Sequence, residues 1–329
     1  MSVVPHPSRR LLLGSLGALA LAVAAGPLAA QTAAWPTKPL RIVVPYPPGG
    51  SSDTIARLIS QPLSQALGQP VVIENRAGAN GNLGAAEVVK SNDGHTLLLC
   101  DVGALAISPS VYTKLAFDPS KDLKGVTMLA YSPHLLVVHP SVPANNLKEL
   151  VALSKTKPVN FAVTAIGSAP HLAGVAVERA TGANWQYVPY KGGAQAISDT
   201  VGGQADMLMN GMLATWPHVQ SGRLKVLGVS KRQRMALIPD VPTLAEQGVK
   251  DFESGTWQGV LMPRGTPPQV MQRLNAELVR VIRSPEVRAK LVAQGAEVTT
   301  MAPAEIDRFF ETERARWATV VKQAEVRLD

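Results

Sequence analysis

The sequence is poor in cysteine, aromatics and charge, and each shortage excludes something. Cys100 is the only cysteine among 329 residues, so no intramolecular disulfide forms and a cystine-stapled scaffold is ruled out. Aromatic residues make up 5% and charged residues 17%, and no basic stripe with interleaved aromatics runs along the chain. A nucleic-acid partner is therefore not expected. No stretch after the first thirty residues is long and apolar enough to span a bilayer, which takes about 20 residues. Catalytic signatures are missing as well. The histidines at 6, 95, 134, 139, 171 and 218 show no HExxH or other metal spacing, and there is no GxSxG elbow. Ser168 has His171 nearby, but three residues along one helix start, with no orienting acid, do not make a triad. The expectation is a protein that is not an enzyme, with no catalytic residues, no metal and no cofactor.

What the chain has is the composition of a globular protein, 46% hydrophobic with 27 glycines and 26 prolines at no fixed period. Its apolar fraction excludes disorder as the main state, and its length suits two domains. The net charge is +8; Arg9 and Arg10 lie in an acid-free first thirty residues, leaving +6 for the remainder. The basic cluster Lys231-Arg232-Gln233-Arg234 reads as a solvated turn.

Residues 1–30 have the three parts of a bacterial export signal: a short segment ending in Ser8-Arg9-Arg10, an uncharged run from Leu11 to about Ala25, and small residues through Gly26-Pro27-Leu28-Ala29-Ala30. The arginine pair fits a twin-arginine signal and also an ordinary Sec signal. Cleavage near Ala30 would release a soluble, periplasmic protein.

Beyond the signal, strand and helix signals alternate. Strands are expected at Leu40–Val44, Pro70–Glu74, Thr96–Cys100, Leu135–Val138, Val159–Val163, Trp185–Val188, Asp206–Met209 and Leu224–Val229, with helices between them and a largely helical tail after Pro263. Such alternation predicts right-handed βαβ units and a parallel sheet. Two α/β blocks imply two lobes about a cleft, with chain crossings near Tyr131–Pro133 and Phe252–Gly255.

Two loops carry the functional signal. In Pro45-Tyr46-Pro47-Pro48-Gly49-Gly50-Ser51-Ser52-Asp53 a glycine pair separates a strand end from a helix start. Glycine permits a sharp turn and close ligand approach, and the unpaired N–H groups of a helix start favour an anion. A merely tight βα turn is the other reading. Thr164 to His171 repeats the design in the second block, with Gly167-Ser168 leading into a helix near Pro170. Two such helix starts facing one cleft would grip an anion. His171 either donates to the ligand or is satisfied by local backbone. Asp206, after the turn Gly202-Gly203, either orients a ligand or caps that turn, and Lys191 reads as solvated.

These residues resemble the Bug family, the extracytoplasmic solute receptors of tripartite tricarboxylate transporters. The likeness is carried by Pro45–Gly50 with Asp53, by Glu74-Asn75-Arg76-Ala77-Gly78-Ala79-Asn80-Gly81, by Gly167–Gly174, by Val188-Pro189-Tyr190-Lys191-Gly192, by Gly202–Asp206 and by Leu237–Thr243. It covers essentially the whole mature chain in order. The resemblance implies a periplasmic-binding-protein (Venus flytrap, type II-like) α/β fold. Its lobes would be residues 31–132 plus 253–329 and residues 133–252, closing on a small organic carboxylate held by backbone donors and bridging waters. The implied ligand-binding set is Tyr46, Pro48, Gly49, Gly50, Ser51, Asp53, Asn75, Thr164, Gly167, Ser168, Ala169, His171 and Asp206. The implied partners are that carboxylate and the permease subunits of the transporter, served by a monomer; a ligand-sensing component on the same fold is the alternative. Ala165-Ile166 departs from the small residues common in the family, so ligand identity does not transfer.

Overall fold

Strand β1 (Leu40–Val44) is buried along nearly its whole length, and its parallel neighbours are β2 (Val71–Asn75) on one side and β3 (Thr96–Asp101) on the other. The computed structural model describes Met1, Ser2 and residues 35–328, so most of the expected export signal lies outside the described residues. Residues from Lys38 onward form one compact unit.

Helix α1 (Ser51–Leu67) links β1 to β2, and α2 (Asn82–Val89) follows β2 after a short turn at Ala79–Gly81. A turn at Gly103–Ile107 and the short α3 (Ser108–Val111) lead from β3 into β4 (Leu123–Val138), the longest strand at 16 residues. The second block comprises α4 (Leu147–Ser154), β5 (Asn160–Val163), α5 (Ala169–Thr181), β6 (Gln186–Pro189), α6 (Gly193–Val201), β7 (Met207–Gly211), α7 (Met212–Gln220) and β8 (Lys225–Val229). The chain then returns through β9 (Gly255–Pro263), α8 (Pro268–Arg283), α9 (Pro285–Ala293), β10 (Glu297–Val298) and α10 (Pro303–Ala324).

The sheet order is β2-β1-β3-β9-β4-β7-β5-β6, with β8 and β10 also paired to β4. The all-parallel expectation needs correction, because β9 runs antiparallel to both β3 and β4, and β4 antiparallel to β7 and β8. The sheet is mixed because β4 and β9 join segments far apart in sequence and are not successive members of a βαβ run. Strand β4 changes partners along its length: Leu123–Pro133 lies against β9, and His134–Val138 against β7 and β8. His134 sits at this handover, fully buried, its ring bonded to Thr256 Oγ1 and Ser254 Oγ at 2.9 Å each. Its backbone N–H donates to Ser230 Oγ at 2.9 Å.

Alternate residues of β4, β5 and β7 enter two different cores, as the strand period of two requires when helices cover both faces. Leu136, Phe161, Met207 and Met209 pack with Trp185 and Leu227, whereas Leu135, Ala162 and Leu208 pack with Ile197, Met212 and Val229. A third core joins Val43, Leu98 and Cys100 to Trp257, Phe310 and Trp317. Helix α10 reaches it by presenting Ile306, Phe310, Glu313, Trp317 and Val321 on one face. The buried Glu313 carboxylate accepts from the indoles of Trp257 and Trp317 at 2.9 and 3.1 Å. Gly125 lets this helix lie close to β4, since an added Cβ there would stand 3.2 Å from Ile306 Cγ1.

The cluster read as a solvated turn is ion-paired: Lys231 contacts Glu253 and Glu297, Arg232 contacts Glu253, and Arg234 contacts Glu246. Among the described residues no helix is long and apolar enough to cross a membrane, and no cluster of His, Cys, Asp or Glu has the makings of a metal site.

Candidate functional site

Three loops at the carboxyl ends of parallel strands converge on one narrow cavity, the place where open α/β sheets gather their ligands. From the β1–α1 loop come Tyr46, Gly50, Ser51 and Ser52; from the β5–α5 loop come Thr164, Ser168, Ala169 and Pro170; from the β6–α6 loop come Lys191 and Gly193. Asn80, Asp101, Val102, Gly103, Asn210, Thr256 and Gln258 complete the walls. The space open to the centres of water-sized molecules is about 50 Å³. That is room for a few waters at ~10–15 Å³ each, so the cavity suits a small molecule.

The loops also meet each other. A Cβ on Gly49 would touch Ala194 Cβ at 3.4 Å, and one on Gly192 would stand 2.5 Å from Pro47 Cδ. At another point Asn80 Nδ2 donates to the Gly167 carbonyl at 3.4 Å. Gly167 has φ +75 and a Cβ there would crowd Val111 Cγ1 at 2.8 Å, so this turn requires glycine twice over, for its backbone angle and for its space.

The helix starts are built differently. Gly50 caps α1 and Gly192 caps α6, neither with a side-chain cap bond, which leaves the first N–H groups of each helix directed at the loop region. Ser168 caps α5, its Oγ accepting from the His171 N–H at 3.4 Å. Three helix N-termini thus border one small space, each contributing partial positive charge.

The sequence-derived candidates divide into two groups. Tyr46, Gly50, Ser51, Thr164, Ser168 and Ala169 line the cavity. Asp53 and Asn75 instead hold the β1–α1 loop from behind. Asp53 is 2% exposed, and its Oδ2 accepts from the Gly49 N–H at 2.9 Å and from Arg57 Nε at 2.8 Å. Asn75 Nδ2 donates to Asp53 Oδ1 and to the Tyr46 carbonyl, each at 3.0 Å. Burial alone would raise the Asp53 carboxyl, but the bonds from Arg57, Gly49 and Asn75 hold it below its ordinary value. Pro48 and Gly49 line a separate outer depression with Asp53 and Arg57. Gly167 and His171 shape the β5–α5 turn: His171 is 5% exposed, its Nδ1 accepts from the Gly167 N–H at 3.2 Å, and its ring packs edge-on to Tyr187. Burial lowers its pKa to about 4, so it is neutral, and its ring is satisfied by local backbone. Asp206 does not join the others. It precedes β7, whose far end supplies Asn210 to the cavity, and its carboxylate accepts from the Asn160 N–H at 2.8 Å at the start of β5.

Asn80, Asp101, Lys191, Gly193, Asn210, Thr256 and Gln258 were missed as cavity residues. The available signals were a polar residue ending an apolar strand, for Asp101 and Asn210, and a lone amide inside an otherwise apolar stretch, for Gln258. Tyr46 Oη donates to Asp101 Oδ1 at 2.5 Å, and the Gly103 N–H donates to the same oxygen at 2.8 Å. Burial raises the Asp101 carboxyl to about 6, with the Tyr46 bond working against the rise. Tyr46 is pushed well above its ordinary value by burial and by Asp101, so it keeps its proton and acts as donor.

Comparison with known proteins agrees with this geometry. Residues 55–326 match the model of the tripartite tricarboxylate transporter family receptor. This chain belongs to that receptor family. Protein BugT of Bordetella pertussis is 37% identical over 314 residues, covering 94% of this chain and 96% of that one. The solved structure of Rpa4515 from R. palustris with adipate is 34% identical with a TM-score of 0.86, over 89% of this chain and 99% of that one. MatC (Rpa3494) from Rhodopseudomonas palustris with bound malate is 32% identical with a TM-score of 0.82, over 87% of this chain and all of that one. The Bug-family likeness and the periplasmic-binding-protein fold, two lobes around a central cleft, are therefore those of this chain, which is a solute-binding receptor and not an enzyme.

Proposed function

We propose that this chain is a periplasmic receptor that captures a small organic carboxylate and delivers it, as a monomer, to the membrane permease subunits of a tripartite tricarboxylate-type transporter. One observation carries the reading: three helix starts border a single small cavity, where unpaired N–H groups and aligned helix dipoles favour a carboxylate. Similarity to receptors whose solved structures contain adipate and malate supports the same ligand class. The segment Ser8-Arg9-Arg10 followed by an uncharged run supports export to the periplasm.

The lobes are residues 31–132 with 253–329, and residues 133–252. The partner switch of β4 between Pro133 and His134, and the start of β9 at Gly255, support boundaries there. Opening about these crossings would admit ligand, and ligand bound to both lobes would shift the equilibrium toward the closed form. The ligand-binding residues are those of the three loops, with Asp53, Asn75 and His171 positioning them.

Thermal denaturation of ligand-stripped protein against a panel of mono-, di- and tricarboxylates tests the first half. At least one acid should raise Tm by several degrees, and a flat response across the panel would sink the reading. Loss of uptake of that acid on deletion of the receptor tests delivery.

A further inference from the structure

Among the cavity walls, Asp101 is the residue that does not suit an anion. It faces a space otherwise lined by helix starts, hydroxyls, amides and Lys191. Its Oδ1 is engaged by Tyr46 and the Gly103 N–H, whereas no protein donor among the described residues bonds Oδ2. A ligand carboxylate set against it would place two like charges in a poorly solvated space.

Gln258 supplies the second, independent observation. It lies directly opposite Asp101 in the antiparallel register of β3 and β9. Opposed residues of such a pair project to the same face about 4.5–5.5 Å apart at Cβ. Gln258 also lines the cavity, is 0% exposed, and neither its Nε2 nor its Oε1 has a hydrogen-bond partner in the protein. A fully buried amide left without partners is costly unless something else bonds it. A carboxylate oxygen, an amide donor and an amide acceptor therefore stand side by side, all unspent.

Resting on the carboxylate-receptor reading, we infer that Asp101 and Gln258 select a ligand bearing a hydrogen-bond donor besides its carboxylate: a hydroxy or amino acid rather than a plain aliphatic acid. The hydroxyl or ammonium donates to Asp101 Oδ2, and the Gln258 amide bonds the same substituent or the group beside it. A plain diacid offers only lone pairs to Asp101 and is repelled. Tyr46, held protonated, fixes the carboxylate plane so that Oδ2 is the oxygen left to the ligand.

Calorimetric titration of stripped protein at pH 7.5 with two matched sets, succinate, malate and aspartate, then glutarate, 2-hydroxyglutarate and glutamate, tests this. In whichever set fits by length, the hydroxy or amino member should bind at least about tenfold tighter than the plain diacid, as expected where a buried polar group is otherwise left unpaired. Asp101→Asn keeps an acceptor for Tyr46 and Gly103 but presents an NH₂ where Oδ2 stood. That variant should bring the ratio to within about threefold or invert it, and Gln258→Leu should weaken the preferred ligand. Plain diacids binding as well as their substituted partners, or an unchanged ratio in Asp101→Asn, would overturn the inference while leaving the carboxylate receptor standing. Failure of every acid in both sets and in the wider panel would remove both.

Discussion

Asp101 shows what a single side chain contributes and what it costs. Its carboxyl is raised from an ordinary 3.8 to about 6 by burial. At pH 7.5 it is ionised in both folded and unfolded chains, and the folded state bears the penalty of the buried charge. Asp101→Asn should therefore stabilise the ligand-free protein at pH 7.5 by about 1–3 kcal/mol, since each tenfold change in proton affinity corresponds to ~1.4 kcal/mol. The gain should shrink as the pH falls toward 4, where the carboxyl is protonated anyway. Urea unfolding of both proteins at pH 7.5 and 4.5 checks it; equal stability at the higher pH would mean that the buried charge is compensated. In the sequence the residue showed only as a polar end to an apolar strand. Its neighbours in Thr96–Asp101 are an apolar run, and only the β3–β9 register, set by a strand far along the chain, brings Gln258 beside it. Asp206 is the opposite case. Its position near the start of a short strand suggested a site, but the carboxylate closes the β5–β7 edge by accepting from Asn160.

At the scale of elements, two of the helix starts were readable because their chemistry is local. Gly49-Gly50 and Gly167-Ser168 each combine a permissive turn with a helix that follows at once, and such patterns need no partner to be recognised; the third start, at Gly192-Gly193, emerges only from the structure. What local pattern did not separate is which residues of a loop face the ligand and which hold the loop. Asp53 holds it. Asp53→Ala would remove the acceptor for Gly49, Arg57 and Asn75 together and leave the half-buried Asn75 amide with only the Tyr46 carbonyl. Unfolding free energy should fall by about 1–3 kcal/mol, in the range for losing hydrogen bonds to a buried charged group. Ligand affinity should fall as well, because the Gly50–Ser52 amides lose their support. An unchanged urea midpoint would contradict the hydrogen-bond geometry. Strands β4 and β9 were partly hidden for a related reason. Lys124 and Gly125 interrupt the apolar run of one, and two glycines with a glutamine dilute the other, so their strand character comes from pairing and not from propensity.

For the molecule as a whole, two buried neutral histidines make stability depend on pH. Burial lowers His134 to about 3 and His171 to about 4, against 6.5 in an unfolded chain. Below pH 6.5 the unfolded chain takes up these protons and the folded one does not, so their contribution is complete above 6.5 and declines as the pH falls toward those lower values. Each accounts for up to about 1.4 kcal/mol per pH unit. Asp101 has the opposite sign between about 6 and 3.8, since the folded state binds its proton first. The net loss from these groups between pH 6 and 4 should thus be near one histidine's worth, about 1.4 kcal/mol per pH unit. Chemical unfolding at half-unit steps should show that slope, steeper in Asp101→Asn and flatter in His134→Gln. A flat profile in the wild type would mean that the two rings are hydrated in solution. The two α/β blocks were legible because strand and helix signals restart at Leu135. The sharing of one sheet was not, because it depends on a single long strand serving both blocks.

That strand also sets a timetable for synthesis. Residues 123–133 need Gly255–Pro263 along one edge, and β3 needs the same segment on its free side. While a growing polypeptide has yet to deliver that segment, both edges stay bare, so the part of the chain made first cannot settle into its final arrangement. Final packing must wait for the last quarter of the chain to emerge, an order of events that leaves two strand edges unpaired until then.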